Sequence, residues 1–277
     1  MSKGETQDFR RTKIVATLGP SSESPEILEK LVRAGVNVVR LNFSHGTARD
    51  HAQRAESVRA AARKIGVQVG ILADMQGPKI RIGQFRQGKT YLKEGQKFII
   101  DASLDLDAGD DERVGITYKD LIHDVDIGSR LLLNDGLIVM DVDEKRGSEL
   151  HCTVVLGGEL SNSKGINRAG GGLSAAALTD KDREDIKSAV QLKADYIAIS
   201  FPKSGEDIKE ARRLIQAAGG DAGIIAKIER AEAVENLEGI LEASDAVMVA
   251  RGDLGVEIGD AAVPPVQKRI LRMAPRY

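Results

Sequence analysis

The strongest constraint on the fold is the stretch from Ile224 to Asp260, in which a strand, a helix, a second strand and a turn are predicted in succession. Ile224–Ile228 and Ala246–Ala250 are short apolar runs, typical of buried parallel strands. Apolar residues between them recur at helical spacing. Because two parallel strands joined by one helix are usually neighbours, their carboxyl ends should meet at one edge of a sheet.

Charged residues stand at the ends of both strands. Lys227 and Glu229 share one face of the first strand, because side chains alternate along a strand, and Asp253 follows the second strand. Two carboxylates and an ammonium at one edge suit a divalent cation with oxygen ligands and an anionic substrate. The alternative interpretation is a surface ion cluster that binds no ligand.

The same alternation of strands and helices occurs elsewhere in the chain. Strands are predicted at Lys13–Leu18, Val36–Leu41 and Val67–Asp74, and the alternation resumes at Thr179 with a strand at Asp195–Phe201. This makes six βα strands, whereas a closed (β/α)8 barrel needs eight. The predicted fold class is therefore α/β of the (β/α)8 TIM-barrel type, incomplete with six of eight βα units. Either the sheet is open or the chain is a fragment.

A different pattern fills the region between Pro78 and Leu173. Short alternating segments and turn signals replace the helical period, which suits a small inserted β-barrel or sandwich. Residues 134–136, Asn-Asp-Gly, predict a hairpin. Residues 169–173 (AGGGL) resemble a hinge, since glycine adopts backbone conformations that other residues avoid. We predict a first barrel part (1–77, strands 1–3), an inserted β-rich lid segment (78–173) and a second barrel part (174–277, strands 4–6).

Polar residues follow the ends of five consecutive strands, where barrel enzymes carry their functional groups. Arg40 offers a guanidinium suited to a phosphate, or else it forms a surface ion pair. His45 is otherwise a loop histidine, and Asn42 with Ser44 would otherwise cap the next helix. The remaining strand-end candidates are Asp74, Lys79, Arg81, Ser200, Lys227, Glu229, Gly252 and Asp253.

Composition excludes several classes of protein. The net charge of −2 argues against non-specific nucleic-acid binding. The sequence contains no run of about 18 apolar residues, so no membrane span is predicted. The first ten residues are polar and lack the apolar core of a signal peptide. Cys152 is the only cysteine, so no internal disulfide can form. We therefore expect a cytoplasmic protein.

Six segments, in this order, resemble pyruvate kinase: RTKIVATLGP, VVRLNFSHG, ADMQGPKIRIG, SNSKGIN, AKIERAEA and VMVARGDLGVEIGD. The resemblance covers the chain from Arg11 onward. It implies a (β/α)8 barrel with a β-rich lid inserted after strand three. It also implies phosphoryl transfer from phosphoenolpyruvate to ADP, which gives pyruvate and ATP.

The resemblance also implies roles for individual residues. Arg40 would hold the substrate phosphate, and Lys227 would stabilise the enolate and the transferring phosphoryl group. Glu229 and Asp253 would bind Mg²⁺ or Mn²⁺, and the backbone at Gly252 and Asp253 would hold the substrate carboxylate. The other assignments are Ser200 as a substrate contact; Asn42, His45, Arg81 and Lys164 as nucleotide contacts; Asn42, Ser44 and Asp74 as a monovalent-cation site; and Asp135 in the matching lid hairpin.

Two departures from the family pattern carry expectations. Lys79 stands where potassium-dependent members have an acidic residue, and Met75 replaces a residue that often bears a hydroxyl. We therefore expect that K⁺ is not required, because the lysine ammonium would supply the charge. The chain also stops before the family's strands seven and eight and its C-terminal domain, which full-length relatives use in homotetramers. We expect this chain alone to be unstable, inactive or completed by another segment.

Two other functions compete with this interpretation. The first is another metal-dependent barrel enzyme that acts on phosphoenolpyruvate or a pyruvate enolate, such as an aldolase or lyase. Lys164 and Arg81 favour a nucleotide site over that alternative, but Lys164 could instead be a solvated lysine in a linker. The second is a truncated product that binds ligands without turnover.

Overall fold

The structure is a computed structural model that describes residues 10–277, and these residues divide into two compact units. The first unit comprises the described residues up to Gln76, Asp182–Ala198 and Leu214–Gly223. The second comprises Gly77–Lys181, Ile199–Arg213 and Ile224–Tyr277. The polar amino terminus considered above lies, except for Arg10, outside the described residues. The three-part domain division stays a prediction.

Helices and strands alternate over most of the described chain. The α-helices are α1 (Pro25–Arg33), α2 (Ala48–Ile65), α3 (Leu121–Asp124), α4 (Asp180–Gln191), α5 (Gly205–Ala217), α6 (Ala231–Glu235), α7 (Leu237–Ala243), α8 (Arg251–Ile258) and α9 (Val263–Met273). The strands of the βα pattern are β1 (Val15–Thr17), β2 (Val38–Asn42), β3 (Gly70–Asp74), β12 (Tyr196–Ile199), β13 (Gly223–Ile228) and β14 (Ala246–Val249). The strands between residues 78 and 173 are β4 (Lys89–Leu92), β5 (Lys97–Asp101), β6 (Arg113–Gly115), β7 (Arg130–Leu133), β8 (Ile138–Arg146), β9 (Glu149–Leu156), β10 (Gly158–Ser161) and β11 (Ile166–Arg168).

The first unit is built on the parallel strands β1, β2, β3 and β12, hydrogen-bonded in that order. Asn42 pairs with Asp74, and Asp74 pairs with Ala198 on the other side. The carboxyl ends of these strands are therefore level with one another. The predicted parallel βαβαβ arrangement is confirmed here.

Local capping chemistry sets the helix boundaries of this unit. The Ser24 hydroxyl accepts a hydrogen bond from the Ile27 N–H at 3.3 Å, and Pro25 occupies the first turn of α1. Thr47 and Asp50 form a reciprocal capping box at the start of α2. Gly66 ends that helix at φ 82°, a left-handed conformation that glycine adopts without strain.

In the second unit, a six-stranded sheet in the order β11-β7-β8-β9-β5-β6 carries most of the core of the lid segment. The predicted hairpin joins β7 to β8, with positive φ angles at all three residues of the turn, 134–136. Two strands went unpredicted. β10 pairs with β4 and β11 with β7, over sequence separations that local pattern does not reveal.

The stretch from Ile224 to Asp260 also lies in this unit. β13 and β14 are parallel neighbours, as predicted, and their register places Lys227 beside Met248. Two details of the prediction were wrong. The connecting helix is interrupted at Asn236, which divides it into α6 and α7, and Arg251–Ile258 forms helix α8 where a turn was expected.

No helix among residues 10–277 is long and apolar enough to cross a membrane.

Cys152 is fully buried in the core of the lid segment, and burial raises the pKa of its thiol to about 12. Because the thiolate is the reactive form, we expect Cys152 in the folded chain to resist alkylation by iodoacetamide at pH 8. In unfolding concentrations of urea the same thiol should react fully, which mass spectrometry would detect. Rapid labelling of the folded chain would contradict this burial.

Candidate active site

The centre of the candidate site is a buried ion pair at the carboxyl end of β13. The Lys227 Nζ lies 2.9 Å from Glu229 Oε1, and the two residues are 9% and 1% exposed. Lys227 also donates a hydrogen bond to the Ser200 hydroxyl at 2.8 Å. The alternation of side chains along β13 places both charges on one face, as the sequence predicted. Since both residues are buried, they do not form the surface cluster of the alternative interpretation.

The residue after Ser200 fixes the other carboxylate oxygen. The Phe201 N–H donates to Glu229 Oε2 at 2.8 Å. Phe201 holds this position with φ at 55°, a conformation that is uncommon for a bulky residue. Such strain persists where surrounding structure imposes it, and it is frequent at functional sites. Both Glu229 oxygens are thus oriented before any ligand binds.

Gly77 packs directly beneath this strained turn. Its φ is 67°, and a Cβ added there would lie 2.6 Å from Ser200 Cβ and 3.0 Å from Ser200 O. Glycine is therefore required both by backbone conformation and by space.

We expect Gly77→Ala to destabilise the chain by about 1–3 kcal/mol more than Gly88→Ala does, because only the first creates a backbone clash. Gly88 has a similar φ of 82°, but an added Cβ would meet nothing within 4 Å. Urea unfolding of the two variants would measure the difference. Equal losses would show that the turn at Ser200 yields without cost.

A second lysine neutralises the other acidic candidate. Lys79 Nζ donates to Asp253 Oδ1 at 3.1 Å and lies 4.0 Å from Asp135 Oδ1 in the β7–β8 hairpin. Lys79 therefore contacts one candidate metal ligand and one residue of the lid segment. All three residues were predicted from the sequence to be functional or to lie in the lid hairpin, but their proximity was not predicted.

The electrostatics link the two candidate metal ligands. Burial raises the pKa of Glu229, Lys227 opposes that rise, and the negative charge of Asp253 adds to it. Among residues 10–277 there is no cluster of three or more His, Cys, Asp or Glu side chains arranged for a metal. The candidate ligand set is thus two carboxylates, whose hard oxygens suit Mg²⁺ or Mn²⁺ with water or substrate completing the shell.

Arg40, in the first unit, is already paired within that unit. Its Nε donates to Asp74 Oδ2 at 2.6 Å, and its Nη1 donates to the Thr17 hydroxyl at 3.0 Å. Arg40 therefore forms an ion pair, as the alternative interpretation predicted, but not a surface one, because Asp74 is only 1% exposed. The Arg40 guanidinium is thus held by Thr17 and Asp74, which are the last residues of the neighbouring strands β1 and β3.

The other strand-two candidates form a turn. The Asn42 side-chain oxygen accepts from the Ser44 N–H at 3.1 Å, and His45 is exposed. Thr47, rather than Asn42 or Ser44, caps α2. The alternative in which Asn42 and Ser44 serve as helix caps is therefore wrong.

In the second unit, the two cationic nucleotide candidates lie on adjacent segments. Arg81 forms an isolated antiparallel bridge with Gly165, next to Lys164, and its Nη1 donates to the Ser163 carbonyl at 2.9 Å. Both side chains are half-buried. The backbone bridge thus brings together the two segments that carry these cationic residues.

A cleft of about 780 Å³ opens in the second unit beside helix α8. Lys79, Asp135 and the first turn of α8 line it, including Gly252 and Asp253. No atom would crowd a Cβ at Gly252, so this stretch of backbone is open to an approaching ligand. The start of a helix favours an anionic group.

A group of charged residues went unpredicted: Arg230 and Glu257, which are buried, and Glu232, which is half-buried. Glu257 lines this cleft. The Glu257 carboxylate accepts from the Ala231 N–H at 3.0 Å, and burial raises its pKa. A signal existed, because Arg230 directly follows the candidate ligand Glu229 and Glu232 lies three residues after it.

The strands and their polar ends define a class of protein. Parallel βα units with lysine, arginine and carboxylate groups at the carboxyl ends of the strands are characteristic of β/α-barrel enzymes.

Comparison with known proteins narrows this class. The family model described as "Pyruvate kinase, barrel domain" matches residues 9–276. "Pyruvate kinase II" of Salmonella typhimurium is 54% identical over 269 residues, and "Pyruvate kinase" of Haemophilus influenzae is 53% identical over 267 residues. The matches cover 96% and 95% of this chain and 56% of each relative.

The chain belongs to the pyruvate kinase family. The predicted fold class, an α/β fold of barrel type with an inserted β-rich segment, is confirmed. The chain spans 56% of the length of the two relatives.

Proposed function

We propose that this chain carries the catalytic residues for phosphoryl transfer from phosphoenolpyruvate to ADP, the reaction that gives pyruvate and ATP in glycolysis. The observation that supports this most strongly is the buried Lys227–Glu229 pair, held by Ser200 and by the Phe201 N–H. Such transfer depends on positioning and on charge neutralisation more than on covalent chemistry. A pre-oriented buried ammonium and carboxylate meet both needs.

Each residue has a proposed task. Lys227 stabilises the negative charge on the transferring phosphoryl group and on the enolate oxygen left when the P–O bond breaks. Arg40 binds the substrate phosphate through its guanidinium. The backbone at Gly252 and Asp253 binds the substrate carboxylate at the start of α8, and Ser200 orients Lys227. The enolate then takes a proton at its methylene carbon to give pyruvate.

Glu229 and Asp253 are the proposed ligands of Mg²⁺ or Mn²⁺. A bound divalent ion would neutralise charge on the oxygens of both reaction partners. Lys79 contacts Asp253 at 3.1 Å, and Lys227 contacts Glu229. Each lysine therefore balances one carboxylate, and Glu229 is held in an orientation that leaves little rearrangement for metal binding.

The proposed nucleotide contacts are Asn42, His45, Arg81 and Lys164. The neighbouring positions of Arg81 and Lys164 support a second phosphate site, which an aldolase or lyase would not need. Asn42, Ser44 and Asp74 correspond to the family's monovalent-cation site. A cytoplasmic location and homotetramer formation with a complete C-terminal part also stay predictions.

The deciding experiment is a lactate-dehydrogenase-coupled assay of this chain alone and of a chimera. The chimera joins the chain to the C-terminal remainder of the Salmonella typhimurium relative. Turnover by the chimera, dependent on ADP and phosphoenolpyruvate, would support the proposal, and turnover by the chain alone would show that residues 1–277 suffice. Calorimetry with ADP and Mg²⁺ separates a kinase from an aldolase or lyase, since absence of nucleotide binding would favour the latter.

We expect turnover of the chimera to show no increase when K⁺ replaces tetramethylammonium, because the Lys79 ammonium supplies the positive charge. Lys79→Glu should make activity depend on K⁺. Lys89→Glu is the matched control, since Lys89 is exposed and pairs with Glu159 away from the cleft. A strong rise with K⁺ in the unmodified chimera would refute this role for Lys79.

A further inference from the structure

Three consecutive residues at the return from the lid segment adopt left-handed backbone conformations. The φ angles of Gly170, Gly171 and Gly172 are 79°, 78° and 88°. Residues with a side chain rarely adopt such angles, so a run of three requires glycine. We call residues 169–173 the glycine hinge.

Five hydrogen bonds hold the glycine hinge, and two of them have a charged side chain as partner. The Gly172 N–H donates to Glu232 Oε1 at 2.7 Å, and Arg230 donates to the Leu173 carbonyl at 2.8 Å. The Gly170 N–H donates to the Glu257 backbone carbonyl at 3.1 Å. Hydrogen bonds with a charged partner are roughly twice as strong as neutral ones. Hydrogen bonds to residues outside the hinge thus restrict its backbone conformation, although glycine residues have a wide conformational range.

The packing around Glu232 is close. A Cβ at Gly171 would lie 2.8 Å from Glu232 Oε2, and that oxygen is itself buried. Arg230 is only 4% exposed, and its guanidinium lies 3.4 Å from Glu232 Oε1. Arg230 and Glu232 therefore support each other while each holds a different residue of the hinge.

The same two residues are linked to the candidate metal site by the backbone. Arg230 follows Glu229 directly and is the residue that precedes helix α6. The next N–H, from Ala231, donates to the Glu257 carboxylate at 3.0 Å. Glu229, a candidate metal ligand, and Arg230, a hinge contact, are thus adjacent residues on one stretch of backbone that Glu257 holds in place.

We propose that Arg230 and Glu232 are positioning residues, forming a latch that couples the glycine hinge to the Glu229 carboxylate. The latch sets the position of the lid segment in response to a divalent cation at Glu229 and Asp253. This inference rests on the proposed function for its purpose, but the contacts that carry it do not depend on turnover.

Hydrogen exchange measured by mass spectrometry on the 277-residue chain tests the latch. Without metal, E232A is expected to raise the exchange rate of the hinge amides by about tenfold or more, because a charge-assisted bond to Gly172 is lost. E232D keeps the charge but shortens the side chain, so it should raise the rate as well. E232Q keeps an oxygen acceptor but loses the charge, so its rate should lie between those of the unmodified chain and E232A.

Glu235→Ala is the matched control, because Glu235 is exposed on the same helix α6. It should leave hinge exchange unchanged. Unaltered hinge exchange in both E232A and E232D would overturn the proposal, and E232D alone decides the point if E232A fails to fold.

Coupling is tested by adding Mn²⁺ to the same samples. Mn²⁺ should slow hinge exchange in the unmodified chain and in E232Q, but not in E232A or E232D, although calorimetry still detects binding. A hinge response that survives in E232A would overturn the coupling. If the unmodified chain binds no Mn²⁺, the proposed function fails at its metal site, and the coupling fails with it.

Discussion

Replacing Lys227 by methionine is expected to lower the free energy of unfolding by about 3–5 kcal/mol, the cost of removing one partner of a buried ion pair. Glu229 is 1% exposed and would keep only the Phe201 N–H as a charge-stabilising contact among those described above. Methionine has nearly the side-chain volume of lysine, so the decrease in the free energy of unfolding reflects the lost charge rather than lost packing. Urea unfolding at neutral pH measures it.

Two comparisons isolate the cause of that loss. Lys187→Met removes an exposed partner of Glu184, and exposed pairs contribute only about 0–1 kcal/mol. The double variant Lys227→Met/Glu229→Leu removes both buried charges and should recover most of the stability. A Lys227→Met variant no less stable than Lys187→Met would mean that Glu229 does not depend on its lysine.

Glu229→Gln is expected to weaken Mn²⁺ binding by about 100-fold, because one of two charged ligands becomes neutral. Losing an outer-shell partner of a metal site already costs about 10–100-fold, so losing a ligand should reach the upper end. Calorimetric titration of the 277-residue chain gives the affinity directly and requires no turnover.

Glu235→Gln is the control for this measurement. It neutralises an exposed glutamate in the adjoining helix and should leave the Mn²⁺ affinity unchanged. An unchanged affinity in Glu229→Gln would remove Glu229 from the ligand set and leave Asp253 without its partner. The structure would then have to supply a different oxygen, and the proposed reaction would lose its metal.

The fold was predictable wherever apolar spacing and turn chemistry agree. Six βα strands and the hairpin at 134–136 followed from short apolar runs and from a turn that tolerates positive φ. β10 and β11 escaped notice because each is three or four residues long and is defined by a distant partner strand. The break at Asn236 also escaped, because the apolar spacing continues across it.

The site was predictable to the level of side-chain types but not of contacts. Alternation along β13 correctly paired Lys227 with Glu229, and parallel pairing brought β14 beside them. Nothing local in the sequence indicated that Phe201 would take a left-handed conformation and donate to Glu229. That geometry arises from tertiary packing against Gly77, which sequence spacing does not encode.

The close approach of Glu232 to the glycine hinge has a consequence for how related genes can diverge. An L-residue with a β-carbon at the position of Gly171 would collide with the carboxylate. Any homologous chain that carries such a residue there should also carry a shorter side chain in place of Glu232. Positions 171 and 232 are therefore expected to vary together among related sequences.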